Sequence, residues 1–166
     1  MFFPDSFKLT TPSDREILVT RNFDAPRSLL FEAFTKPDIV RRWLLGPPGW
    51  TMPVCEIALS IGGSYRYVWF SEKDGSRMGV GGVFRDIVVP ERLVATERFD
   101  DAWYPGEAVI TTAFAETRGV TTVSIRVLYE STDARDMARR SGMEHGMAFG
   151  FSRLEHDIAT QSGERA

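Results

Sequence analysis

The sequence predicts an α+β fold: a curved antiparallel sheet of about six to seven strands, covered on one face by a long C-terminal helix, with two short helices after the first strand. Three observations carry this. Six strand-like runs follow one another between Met52 and Tyr129, separated by turn signals. Beyond Ser131, the residues Met143, Met147, Phe151, Leu154 and Ile158 recur at helical spacing. Ahead of both, one alternating strand runs into Asp24-Ala25-Pro26, a helix start with proline in the first turn.

The elements follow in order. Residues 1–14 are expected as a flexible tail, because Pro4 and Pro12 interrupt regular pairing. Arg15 to Phe23 is a strand with Ile17, Val19, Arg21 and Phe23 on one face. Leu29, Leu30, Ala33 and Phe34 then share a helical side. Lys36-Pro37-Asp38 breaks that helix and opens a second through Ile39, Val40, Trp43 and Leu44, which Gly46-Pro47-Pro48-Gly49 stops. The strand runs are Met52–Leu59, Ser64–Phe70, Gly79–Val89, Leu93–Phe99, Ala108–Glu116 and Val120–Tyr129, with a loop over residues 100–106. Helix resumes at Ser131-Thr132-Asp133 and runs to about Gln161; the domain spans 15–162, and 163–166 are a C-terminal tail. Gly142, Gly146 and Gly150 step by four inside it. Each costs about 1 kcal/mol relative to alanine in a helix, which leaves two readings open: close approach of the sheet or a ligand, or a kink near Ser141-Gly142 between two shorter helices.

Composition narrows the function. The 166 residues carry 20 Lys+Arg against 23 Asp+Glu, and the only basic doublets are Arg41-Arg42 and Arg139-Arg140. That is no stripe for phosphates, so nucleic acid is not an expected partner. No apolar run reaches the roughly 20 residues of a membrane span, and no secretory signal opens the chain. Cys55 is the only cysteine, which rules out an internal disulfide and suits a cytoplasmic setting.

Catalytic supply is thin. His145 and His156, the only histidines, lie eleven positions apart on the terminal helix, about 16 Å along its axis and opposite the methionine stripe. They cannot share a metal, and no other ligand cluster has metal spacing, so neither a metal nor another cofactor is expected. Cys55 has no neighbouring base in an apolar strand and reads as an inert buried thiol. No Gly-x-Ser-x-Gly elbow occurs. Gly79-Val80-Gly81-Gly82 lies within strand signal rather than before a helix, so a bulge or close packing explains it better than phosphate binding.

Aromatic supply is rich. Tyr65, Tyr67 and Trp69 share a strand face, Phe84, Phe99 and Phe114 come from three further strands, Trp43 and Trp50 flank the Gly-Pro-Pro-Gly loop, and Met143, Met147 and Phe151 come from the helix. Such residues fill cores, and they also line adaptable apolar chambers, where the polar atoms of Trp and Tyr can meet a wet interior. Among charges on strands, Glu97 falls in phase with Leu93, Ala95 and Phe99 and is a candidate polar anchor; Arg66 and Asp86 are similar candidates, or else members of exposed cross-strand pairs.

Several segments stand in a telling order: Phe23-Asp24-Ala25-Pro26, Trp43 before Gly46-Pro47-Pro48-Gly49, Ile61-Gly62-Gly63-Ser64-Tyr65-Arg66-Tyr67, Pro90-Glu91-Arg92-Leu93-Val94, and Ser141-Gly142-Met143-Glu144-His145-Gly146-Met147 with Leu154. Over residues 15–162 the chain resembles the START/Bet v 1-like (SRPBCC) superfamily. Within it, the chain is most similar to the branch named after the C-terminal domain of the activator of Hsp90 ATPase, and to the bacterial members grouped with the calicheamicin-resistance protein. Ala58 and Ser60 replace an Asp and an Arg that many members carry, and Asp86 replaces a Glu.

The resemblance implies a helix-grip fold around a cavity, in a group whose members bind hydrophobic small molecules, cyclise polyketides, sacrifice themselves to a reactive antibiotic or bind a chaperone. Fold does not choose among these. The first expectation is binding of a small, mostly hydrophobic ligand between sheet and helix, touching Trp43, Tyr65, Tyr67, Trp69, Phe84, Glu97, Phe99, Phe114, Met143, Met147 and Phe151. The alternatives are a stress-response module that binds an Hsp90-type chaperone, and a cyclase- or hydrolase-type enzyme using the same hollow. A homodimer through a sheet edge or the N-terminal tail stays open.

Overall fold

A computed structural model describes residues 6–101 and 104–165, with side chains as far as Thr160. Eight strands form one antiparallel sheet: β1 (Lys8–Thr10), β2 (Glu16–Phe23), β3 (Trp50–Ile57), β4 (Ser64–Ser71), β5 (Arg77–Val88), β6 (Arg92–Phe99), β7 (Ala108–Thr117) and β8 (Val120–Leu128). Their spatial order is β1-β2-β8-β7-β6-β5-β4-β3. Strands β3 to β8 are thus a meander of neighbours, and β2 joins its far end by pairing with β8. Two short helices, α1 (Arg27–Thr35) and α2 (Pro37–Trp43), bridge β2 and β3, which lie far apart in the sheet. Helices α3 (Thr132–Arg139) and α4 (Met143–Arg165) follow β8. Among the described residues no helix is long and apolar enough to cross a membrane.

Strand β2 shows how alternation places the core. Ile17, Val19, Arg21 and Phe23 are buried while their neighbours are half-exposed. Arg21 tolerates burial because its guanidinium donates to the Phe151 carbonyl at 3.1 Å and to Glu155 at 2.6 Å, and lies 4.7 Å from the centre of the Phe23 ring. The pair ties α4 to the sheet. On α4 the buried hydrophobic side chains among the described residues are Phe151, Leu154 and Ile158. Removing each from water stabilises the fold by about 1.5–3 kcal/mol.

The start of α1 is capped from afar. Its N-cap, Pro26, offers no side-chain bond, and the Arg27 N–H donates instead to Glu116 Oε1 at 2.8 Å. Pro37 opens α2 as its first residue, where the missing N–H costs nothing.

Two differences from the sequence reading have clear causes. The expected tail contains β1, which pairs Lys8, Leu9 and Thr10 with Thr20, Val19 and Leu18. Pro12 follows that strand instead of interrupting it, and β1 covers backbone groups that β2 would otherwise leave open at a sheet edge. Phe7 packs its ring 6.2 Å from that of Phe151. Residues 1–5 of the tail lie outside the described residues. At the other end, helix continues to Arg165, beyond the expected boundary at 162.

Of the two readings for the glycines, the kink holds at Gly142, whose φ of 89° separates α3 from α4. Ser131 caps α3 by accepting from the Ala134 N–H at 3.0 Å. Close approach holds at Gly150, although the neighbour is α2: an added Cβ would sit 3.3 Å from the Trp43 carbonyl oxygen.

Candidate functional site

Between the sheet and the helices lies a cavity of about 300 Å³. That is roughly twice the 150 Å³ of an engineered apolar cavity able to hold benzene, and it falls at the lower end of small-molecule sites. Its walls follow from strand phase. Leu93, Ala95, Glu97 and Phe99 present one face of β6 to it, and Tyr65, Tyr67 and Trp69 one face of β4. Phe84 enters from β5, Trp43 from α2, and Met143, Met147 and Phe151 from α4. Ten of the eleven residues expected at the site therefore meet around one space.

Phe114 is the exception. It is buried on β7, but α1 lies over that part of the sheet. Its ring packs 5.5 Å from Phe31 and 5.3 Å from Phe34. The rings of α1 fill the space that it faces.

Residues not anticipated also line the cavity, among them Phe34, Leu44, Ile110, Thr112, Tyr104 and Tyr129. Tyr129 continues the phase of Ile125 and Val127, so alternation along β8 contained that signal. Tyr104 sits in the loop before β7, where no periodicity applies.

The expectation of a wet interior for the ring heteroatoms needs correction at Trp43, Trp69 and Tyr65. Trp43 Nε1 donates to the Ala33 carbonyl at 2.9 Å, Trp69 Nε1 to the Leu44 carbonyl at 2.7 Å, and the Tyr65 hydroxyl to the Thr96 carbonyl at 2.6 Å. Backbone carbonyls nearby satisfy these groups, which leaves the rings to face the cavity as apolar surface.

Glu97 brings the one carboxyl group to the wall among the described residues. The Tyr104 hydroxyl donates to its Oε1 at 2.8 Å. Burial pushes the carboxyl up to about 7, against the opposing effect of that hydrogen bond. Burial, together with the Glu97 charge, also holds the phenols of Tyr65, Tyr104 and Tyr129 above the ordinary tyrosine range. No lysine, arginine or histidine lines the cavity among the described residues. Ser141 is the serine on the wall, and its hydroxyl donates to the Ala138 carbonyl at 2.5 Å.

The other polar candidates lie elsewhere. Arg66 makes two bonds of 2.6 Å to Asp100, and Arg92 meets Asp86 at 2.7 Å; both are exposed ion pairs of small energetic value. The β5 glycines reflect close packing: a Cβ on Gly82 would collide with the Thr96 backbone, and one on Gly79 with Asp100 and Arg66. Cys55 is buried, and burial pushes its thiol up. His145 and His156 lie exposed along a groove on the outer side of α4. Among the described residues no three His, Cys, Asp or Glu side chains are placed to hold a metal ion.

Proteins of known structure share this architecture. A crystal structure of a Rhodobacter sphaeroides protein superposes with a TM-score of 0.88 at 28% identity, over 94% of this chain and 99% of that one. A Chromobacterium violaceum protein gives 0.75 at 26% identity, over 87% and 96%. A Plasmodium falciparum protein described as an HSP90 activator gives 0.61 at 17% identity, over 87% and 96%, which shows a shared fold. No curated protein matches the chain significantly. The family described as activator of Hsp90 ATPase homolog 1-like protein matches residues 24–158. With most of its length so matched and this architecture around a central cavity, the chain belongs to that family, a branch of the SRPBCC helix-grip proteins.

Proposed function

We propose that the protein binds a small, mostly apolar molecule in the cavity between the sheet and α4, without transforming it. The supporting observation is a cavity walled, among the described residues, by aromatic and aliphatic side chains around a single carboxyl group. Methionines on α4 suit this role, because unbranched thioethers conform to guests of different outline.

The test is a fluorescence titration with N-phenyl-1-naphthylamine, a neutral dye that brightens in apolar surroundings, with stoichiometry from native mass spectrometry. One dye per chain is expected. Ala95→Phe places a ring into the cavity and is expected to abolish dye binding while the variant still unfolds cooperatively. Undiminished binding by that variant would place the dye elsewhere and refute the reading.

An enzyme of cyclase or hydrolase type gains some support from Glu97, whose proton is mobile near neutral pH. Against it, among the described residues the wall pairs that carboxyl with no second acid or base other than phenols held protonated, and Ser141 is engaged with its own helix turn. An Hsp90-type chaperone as partner draws on the family description and on the printed name of the Plasmodium protein, and ranks behind ligand binding. Pull-down with a purified bacterial Hsp90 separates the two readings.

A further inference from the structure

Glu97 presents an unusual combination. Its Oε1 accepts from Tyr104, and among the described residues its Oε2 has no protein hydrogen-bond partner. Yet no fully buried side-chain oxygen among those residues lacks a partner. Oε2 is therefore open to the cavity that Glu97 lines. A carboxylate facing an apolar chamber calls for a compensating donor, and the described residues supply none beyond Tyr104.

The surroundings favour a cation. Tyr104 packs edge-on against Tyr129 at 5.0 Å and against Phe99 at 6.1 Å, and Tyr65 lines the same cavity. The hydroxyls of Tyr65 and Tyr104 are committed to Thr96 and Glu97, so their ring surfaces remain for contact. Aromatic surface beside a carboxylate attracts an ammonium group by its ring quadrupoles as well as by charge.

Resting on the cavity reading above, we infer that the ligand is an apolar molecule bearing a protonated amine, with the ammonium seated on Glu97 Oε2 among the rings of Tyr65, Tyr104 and Tyr129. The body of the molecule lies toward Trp43, Met143 and Met147. At about 300 Å³ the cavity admits a bicyclic body rather than a long chain or a sterol.

The pairing has a proton signature. Among the described residues, the titratable groups facing Glu97 are the phenols of Tyr104, Tyr65 and Tyr129, all neutral across the working range. Glu107, beside the Tyr104 loop, meets Arg85 at 3.6 Å. Helices α2, α3 and α4 contribute no charged side chain to the wall among the described residues. Glu97 is about half protonated at neutral pH and releases that proton when the ammonium docks.

The experiment is calorimetric titration with 1-naphthylmethylamine, 1-naphthylmethanol and 1-naphthoic acid, which share one bicyclic body. At pH 8 the amine is expected to bind about tenfold tighter than the alcohol, with the acid weakest. Glu97→Gln is expected to erase the amine's advantage, read as the ratio of amine to alcohol affinity within that variant. In wild-type protein at pH 7, two buffers of different ionisation heat are expected to reveal release of about half a proton per amine bound. This second measurement does not depend on the variant folding. Equal affinity of amine and alcohol, or amine binding without proton release, would overturn the inference and leave the cavity reading standing. If none of the three binds and the dye also fails, the cavity reading itself is overturned.

Discussion

The two ends of the gap between sheet and helices are built alike in composition and differ in packing. Under α1, the rings of Phe31, Phe34 and Phe114 interlock at 5.3–5.5 Å and leave a solid interior. Toward the α3–α4 junction, β4, β5 and β6 offer equally large rings, with Tyr129 just past β8, but the opposing side is held by Met143 and Met147 beyond the break at Gly142, and a cavity remains. Phe34 belongs to both ends: it packs on Phe114 and lines the cavity. Aromatic abundance therefore does not make a chamber. Whether a second layer of rings descends onto the first decides it, and that is set by where each helix lies.

The contrast can be broken most directly by truncation. At the solid end, Phe114→Ala is expected to cost about 3–5 kcal/mol, because the ring cluster cannot collapse around the loss. At the open end, Met147→Ala is expected to cost about 1–2 kcal/mol, since that side chain already borders empty space and forfeits fewer contacts. Urea unfolding of both variants gives the comparison. Equal costs would mean that the open end is packed as tightly as the other in solution.

The next largest effect comes from Glu97 and depends on pH. Its carboxyl stands at about 7 in the folded chain against an ordinary 4.5. The folded state thus holds the proton more tightly. The stabilisation is fully present below about pH 4.5 and is lost as pH rises through about 7, a change of about 3 kcal/mol. Glu16, Asp74 and Asp100 are shifted downward by hydrogen bonds, so their contributions fade only in acid. Stability measured from pH 5 to 8 is expected to decline in wild type and to stay level in Glu97→Gln, whose amide can still accept from Tyr104. A wild-type curve flat over that range would place Glu97 in water.

The same contrast explains what could be read from the chain. Alternation places a residue on a face, so Leu93, Ala95, Glu97 and Phe99 were legible as one cavity wall, and Tyr129 was legible from its phase with Val127. Alternation says nothing about which stretch of that face a helix will cover, and so it could not separate Phe114 from Phe84. Tyr104 carries no phase because its loop has no period. Strand β1 escaped because three residues between prolines are too few to display alternation, and its pairing partner lies in the next strand. The helix break was legible as one of two options, because spacing alone cannot tell a glycine needed for its backbone angle from one needed for its lack of a side chain.

The three helix glycines turn that ambiguity into the finest test of how the open end is held. At Gly142 the φ of 89° is unfavourable for any side chain, so Gly142→Ala is expected to destabilise by about 1 kcal/mol and to disturb the junction that carries Met143. At Gly150 the new methyl would meet the Trp43 carbonyl at 3.3 Å, tight enough to push α4 from α2 by a few tenths of an ångström and offset the gain in helix propensity. At Gly146 nothing lies within 4 Å, so Gly146→Ala should gain up to about 1 kcal/mol. Thermal unfolding of the three variants is expected to rank Gly146→Ala above wild type, Gly150→Ala near it and Gly142→Ala below. A stabilised Gly142→Ala would mean that α3 and α4 join into one straight helix in solution, which would lay α4 along a different line over the sheet and redraw the cavity beneath it.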